Sequence, residues 1–210
     1  MAPSLAPAML VSSPNGTLKE VVTMTDIPDR PRTAPAKARS AAPAGVSPSK
    51  ANVAVALTRL GLGWLFLWAF LDKTFGLGFA TERADAWVNG GSPTYGYLTF
   101  GSSGPFASAF QSIGGAGWAD WLFMLGLLGL GVALLAGIGL RVAAVTGSVL
   151  VLVLLMWLAA LPPETNPILT YHPIYALLLW AYAFSDNGTV LGAGAAWQRT
   201  RLVQTSPWLR

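Results

Sequence analysis

The sequence predicts an all-α protein: a four-helix bundle built to lie in a membrane, with a long external loop that carries short helices. Two observations predict it. Ala119 to Leu161 is a run of forty-three residues broken by only two charges, Asp120 at its edge and Arg141 near its middle. As one helix it would extend roughly 65 Å at about 1.5 Å per residue, about twice the roughly 30 Å hydrocarbon core of a bilayer, so it must fold back on itself. The composition agrees: 53% of residues are hydrophobic, 10% are charged and the mean hydropathy is +0.53, more apolar than an ordinary soluble domain.

Taken in order, residues 1–49 are crowded with Ala, Pro and Ser and have no periodic apolar pattern. They bury too little surface to offset chain entropy and read as a disordered cytoplasmic tail. The four-helix domain occupies 50–190. Its first span covers about 52–71 and, with no apolar run of signal-peptide length behind a basic start, is expected to act as an uncleaved signal anchor. The loop at 72–118 is too long for a plain connector. Within it Thr81 to Val88 reads as a short helix with acidic residues in its first turn, and Gly90-Gly91-Ser92-Pro93-Thr94 as a turn. Phe106, Phe110 and Ile113 form an apolar edge at helical spacing, and the loop is expected to lid the outer mouth of the bundle.

The second and third spans, 121–140 and 142–161, turn at Gly137-Ile138-Gly139-Leu140-Arg141, where glycine weakens the helix. The fourth span, 167–185, has Asn166 as N-cap, Pro167 at the first helical position and Asn187-Gly188 as a left-handed stop. Pro173 inside that helix would remove a hydrogen bond to the Leu169 carbonyl and kink it. Small residues at four-residue spacing, Gly129, Ala133 and Gly137 and then Ala143 and Gly147, mark close helix contact and leave a homodimer open. Residues 191–210 read as a C-terminal cytoplasmic tail.

Lysine and arginine flanking the spans favour the cytoplasm. Lys50, Arg141, Arg199, Arg201 and Arg210 fall on one side with the basic residues of the N-terminal tail, against Lys73 and Arg83 on the other. Both termini are therefore expected in the cytoplasm, with the chain multi-pass in a bacterial cytoplasmic membrane. Trp118, Trp121 and Trp157 then belong to the outer aromatic belt.

Several chemistries are excluded. The chain has no cysteine and one histidine, so no haem, iron–sulfur cluster or zinc is expected in it. No P-loop, dinucleotide turn or Ser-His-Asp set is present. The net charge of +4 follows the cytoplasmic face, where it meets anionic lipid, and implies no nucleic-acid partner.

Two sets of polar residues remain. Arg59 lies a third of the way into the first span, where a charge is expensive; it is either an anion anchor or a residue that snorkels to the cytoplasm or pairs with Asp186. At the outer end, Asp72, Lys73, Asp120, Thr170, Tyr171, His172 and Tyr175 fall at one level, with Trp68 and Trp157 as aromatic walls. Such a set suits a planar ligand at the depth of a quinone headgroup, held by Lys73 and His172 and oriented by Asp72 and Asp120. It is also what any outer membrane interface attracts.

Specific strings carry a family resemblance. Leu57-Thr58-Arg59-Leu60-Gly61-Leu62-Gly63 followed by Trp68-Ala69-Phe70-Leu71-Asp72-Lys73-Thr74-Phe75-Gly76 resembles the first helix of the DoxX/DoxD family of four-helix membrane proteins. The likeness continues through Ala86-Trp87-Val88-Asn89-Gly90-Gly91-Ser92-Pro93, Asp120-Trp121-Leu122-Phe123-Met124 and Met156-Trp157 to Asn166-Pro167 and His172, covering roughly 53–190. It is closest to the DoxD-type branch, the small subunit attributed to thiosulfate:quinone oxidoreductase. The resemblance implies quinone as cofactor, a second oxidoreductase subunit or extracytoplasmic partner, and Arg59, Asp72, Lys73 and His172 as family positions. The family pattern has two acidic residues directly before the histidine, where this chain has Thr170 and Tyr171. A membrane anchor or scaffold for extracytoplasmic redox proteins, without catalysis of its own, is the competing expectation.

Overall fold

In the computed structural model, which describes residues 48–150, 154–159, 161, 170–185 and 187–209, Ser49 accepts a hydrogen bond from the Asn52 N–H and opens helix α1, Lys50–Phe75. Gly76 closes it in the left-handed conformation that glycine adopts without strain. After a loop with single turns of 3-10 helix, a π turn at Tyr97–Gly101 and a short helix α2, Ala107–Gln111, the chain enters α3, Gly117–Ala136. All regular structure among the described residues is helical, as the sequence predicts.

The hairpin falls where expected. Gly137 and Gly139 both take positive φ, and the N–H of Gly137 returns to the Ala133 carbonyl. Because this cap stops α3 at Ala136, the helix sits nearer the loop than the expected second span at 121–140. The expected third span, 142–161, is not one α-helix among its described residues. It runs as α4, Leu140–Val145, a π turn at Thr146–Leu150 and α5, Leu154–Ala159. The hydroxyls of Thr146 and Ser148 bond back to the carbonyls of Val142 and Ala144, and such back-bonding loosens the helical ladder.

Helix α6 covers Tyr171–Phe184. The expected entry at Asn166-Pro167, the tail at 1–47 and Asp186 lie outside the described residues. Pro173 is the third residue of α6, in the first turn where its missing N–H has no carbonyl to serve, so the expected kink is absent there. Asn187-Gly188 is not a left-handed stop but part of a 3-10 turn, Asn187–Thr189. The expected tail at 191–210 is not plain over its described residues 191–209: they fold into α7, Gly194–Gln198, and α8, Arg201–Thr205, with Val203 buried and the Trp197 Nε1–H held by the Leu209 carbonyl.

The core is apolar and runs along the helices: Leu62 and Phe66 of α1, Met124, Leu127 and Leu134 of α3, and Leu179 and Tyr182 of α6. Helices α1 and α3 approach through Gly63 and Gly131. A Cβ on Gly131 would stand 2.8 Å from Leu67 Cβ, and one on Gly63 2.9 Å from Leu134 Cβ. The Gly129 stripe is not this contact face, since nothing lies within 4 Å of a Cβ built there. Two positions apart on a helix is about 200° around its axis, so Gly129 points away from α1.

Both α1 and α3 are long and apolar enough to cross a membrane. Only 28% and 39% of their most apolar windows are buried within the protein, and Leu57, Trp64, Leu125 and Val132 face outward. A soluble protein's core helix turns most of its apolar surface inward; this surface suits lipid.

Candidate functional site

The loop between α1 and α3 is tied down by two buried carboxylates. Asp72, on the last turn of α1, accepts the N–H groups of Phe79 (3.3 Å) and Ala80 (3.0 Å) and folds the chain back over the helix end. Asp120, in the first turn of α3 where negative charge opposes the helix dipole, accepts Thr94 N–H (3.1 Å), Thr94 Oγ1–H (2.6 Å) and Ser92 Oγ–H (2.9 Å) on one oxygen. The expected turn at 90–94 is thereby fastened to α3. Trp87 packs edge-on against Trp121 at 4.7 Å, and Gly91 lies so close to the Asp85 carbonyl that a Cβ would sit 2.0 Å from it.

Beneath this roof is a cavity of about 190 Å³ between the loop, the end of α1 and the start of α3. Tyr97, Leu98, Phe110 and Ile113 come from the loop, and Trp118, Leu122 and Phe123 from α3. Of the apolar edge predicted at Phe106, Phe110 and Ile113, the last two face the cavity, while Phe106 is 48% exposed and does not line it. Among the described residues one charged side chain lines the cavity: Lys73, half-buried, with Nζ 5.9 Å from the centre of the Phe123 ring. Lys73 has no hydrogen-bond or ion-pair partner among the described residues, because the carboxylate of its neighbour Asp72 is turned to the loop amides. Tyr97 is the other titratable group among the described lining residues. Burial, with Tyr171 adding to it, pushes its hydroxyl up to about 12, so it stays protonated at physiological pH.

The expected cluster is only partly assembled. Of its residues Lys73 alone lines the cavity. Asp72 and Asp120 hold the roof and make no hydrogen bond to Lys73 or His172, so their expected orienting role is replaced by a structural one. Trp68 lies against Trp64 (5.7 Å) and Phe79 (5.1 Å), one turn from Asp72 and off the cavity. Tyr175 packs on Phe66 and Tyr171. His172 is buried, with Nδ1 3.4 Å from Thr170 Oγ1; its Nε2 and the Nε1 of Trp157 have no hydrogen-bond partner among the described residues. No three of the described His, Asp and Glu side chains converge to hold a metal.

Arg59 stands apart, at the far end of α1, with no exposed surface. Its guanidinium donates to the carbonyls of Leu134, Leu135 (3.5 Å), Val190 (3.0 Å) and Leu191 (3.2 Å) and to Asn187 Oδ1 (3.3 Å). The last four carbonyls of α3 would otherwise lack partners. Gly137 and Ile138 serve Ala133, Arg59 serves Leu134 and Leu135, and Ala193 N–H serves Ala136 at 2.7 Å. A cation at a helix C-terminus also meets the negative end of its dipole. With every side of its fork engaged, Arg59 is a structural clamp, and Asn187 extends it by donating to the Asn52 carbonyl.

Sequence reasoning missed Tyr97, Trp118 and Phe123 as cavity walls. The spacing of Trp118 to Phe123 at the start of an apolar helix was visible, but which face met the loop depended on where α3 began. Comparison with protein-family models, with characterised proteins and with solved structures finds no match to this chain.

Proposed function

We propose that this chain is a multi-pass protein of a bacterial cytoplasmic membrane, with its tails in the cytoplasm and the loop at 76–116 outside, and that the roofed cavity binds the headgroup of a quinone. The observation that carries the reading is the Lys73 ammonium, the one charged side chain among the described lining residues of a mainly apolar, aromatic cavity. A dry cavity of roughly 150 Å³ accepts a benzene ring, so about 190 Å³ suits a single-ring headgroup. Lys73 donates a hydrogen bond to a carbonyl oxygen and stabilises negative charge on it, and Phe123 and Trp118 provide flat walls. A bound quinone supplies acceptance of two electrons and two protons. In the DoxX/DoxD reading the electrons come from a sulfur anion such as thiosulfate through a second subunit.

Purified protein in detergent, titrated with a short-chain benzoquinone by equilibrium dialysis, tests this. Saturable binding that weakens at least about tenfold in Lys73→Met and in the cavity-filling Leu98→Trp supports it, that factor corresponding to loss of one charged hydrogen bond. Equal binding by wild type and both variants contradicts it. A second reading, a non-catalytic anchor for extracytoplasmic redox proteins, is favoured by Phe79 and Phe100, which stand 75% and 77% exposed on the loop. A photocrosslinker at Phe100 that captures a periplasmic redox protein, with no quinone bound by the purified chain, would establish it instead.

A further inference from the structure

On the other side of α3 from α1 runs a second, larger hollow. It is a groove of about 520 Å³ between α3 and the α4 segment, floored by Gly126, Gly129 and Ala133 and flanked by Val142 and Thr146. The floor is open because glycine and alanine leave it so: no atom lies within 4 Å of a Cβ built on Gly129. From Leu122 to Ala133 it follows α3 for roughly 16 Å at about 1.5 Å per residue, close to the hydrocarbon depth of one leaflet, half of about 30 Å.

The C-terminal segment closes the inner end of the groove. Trp197, Leu202 and Leu209 line it from α7, α8 and the turn that follows. This foot is held firmly, by Trp197 Nε1 on the Leu209 carbonyl (2.8 Å) and by Val203, which is 1% exposed. Its outer surface is basic and aromatic. Arg199 and Arg201 are exposed, Trp208 is 57% exposed, and Arg141, next to the groove residue Val142, reaches the Pro207 carbonyl at 3.5 Å. A groove of one-leaflet length ending at a collar of arginines and tryptophan has the polarity of a phospholipid: apolar chain above, anionic head below.

We infer that this groove is a binding site for one acyl chain of an anionic phospholipid of the phosphatidylglycerol type, drawn from the cytoplasmic leaflet, with its phosphate held by Arg141 and Arg201. The inference rests on the membrane reading and is independent of the quinone reading. Charge selects the occupant: a second copy of this chain would bring its own arginines to the same collar and be repelled, whereas a zwitterionic lipid would gain the groove but little from the collar.

The full chain in a neutral detergent, mixed with dioleoyl phosphatidylglycerol or dioleoyl phosphatidylcholine and read by native mass spectrometry, tests the site. Expected is one phosphatidylglycerol per chain, bound roughly tenfold more tightly than phosphatidylcholine. Gly129→Leu fills the groove from a position with free space and removes the bound lipid while leaving the unfolding midpoint unchanged. The double variant Arg141→Gln/Arg201→Gln lowers phosphatidylglycerol binding to the phosphatidylcholine level. Unchanged lipid retention by Gly129→Leu, equal binding of the two lipids, or a dimer that masks the groove overturns the inference. Alkaline carbonate extraction of cell membranes separates this from its premise: release of the chain into the supernatant defeats the membrane reading itself, while an integral chain indifferent to the two lipids defeats only the site.

Discussion

Replacing Arg59 by methionine separates a clamp from a ligand anchor. Methionine keeps much of the stem's volume but takes the donors away from the carbonyls of Leu134, Val190 and Leu191 and from Asn187 Oδ1. A buried acceptor left unpaired costs about 1–3 kcal/mol, and relief from burying the guanidinium returns part of this. With four such acceptors left unpaired, and part of that returned, the net loss expected is about 3–5 kcal/mol. At about 2–4 °C per kcal/mol for a chain of this size, the midpoint of thermal unfolding falls by roughly 10 °C. Circular dichroism of ligand-free protein in detergent reads it directly. Lysine at the same place keeps the charge but not the fork and should fall between the two. A methionine variant within about 2 °C of wild type would refute the clamp and return Arg59 to the role of an anion anchor.

Other consequences follow from the same geometry. Asp120→Ala releases Thr94 and Ser92, and amide exchange across 92–98 should speed roughly ten- to a hundredfold for a lost charged acceptor of about 1.5–3 kcal/mol, while α6 is unaffected. Gly131→Ala drives a Cβ to 2.8 Å from the Leu67 backbone and side chain, so α1 and α3 must part at a cost of about 1–3 kcal/mol. Gly129→Ala, two positions away, should be neutral or slightly stabilising by up to about 1 kcal/mol; equal effects at both sites would contradict the packing face described. For Tyr97 the burial that raises its pKa favours the neutral phenol, so any stability linked to it is present below the ordinary value near 10 and lost as pH rises through about 12. The absorbance of phenolate that differs between wild type and Tyr97→Phe should appear only near pH 12; ionisation near pH 10 would mean that the side chain is wet.

What the sequence disclosed depended on how local the cause was. The hairpin at Gly137 and Gly139 was legible because two glycines interrupt a long apolar run, and the all-helical class because that run is too long and apolar for anything but helices. The loop was legible in part: Phe110 and Ile113 line the cavity beneath it, whereas Phe106, at the same helical spacing, stays exposed. The polar cluster was less so. Asp72 and Lys73 are adjacent in sequence but about 100° apart on a helix, so one faces the returning loop and the other α3. Asp120 turned out to serve Thr94, twenty-six residues earlier, a partnership that no periodicity announces. The role of Arg59 was likewise hidden, because its acceptors are carbonyls, which every residue possesses, brought together from α3 and the 187–191 segment.

The central claim is that the loop bearing the cavity roof and the basic C-terminal foot lie on opposite sides of a membrane. The chain has no cysteine, so single cysteines report without background. Val88, 61% exposed on the loop, and Gln204, exposed on α8, are suitable positions. With a membrane-impermeant maleimide, Val88→Cys should label in intact cells and Gln204→Cys only after the membrane is broken. Labelling of both in intact cells, or of neither until lysis, would contradict the account.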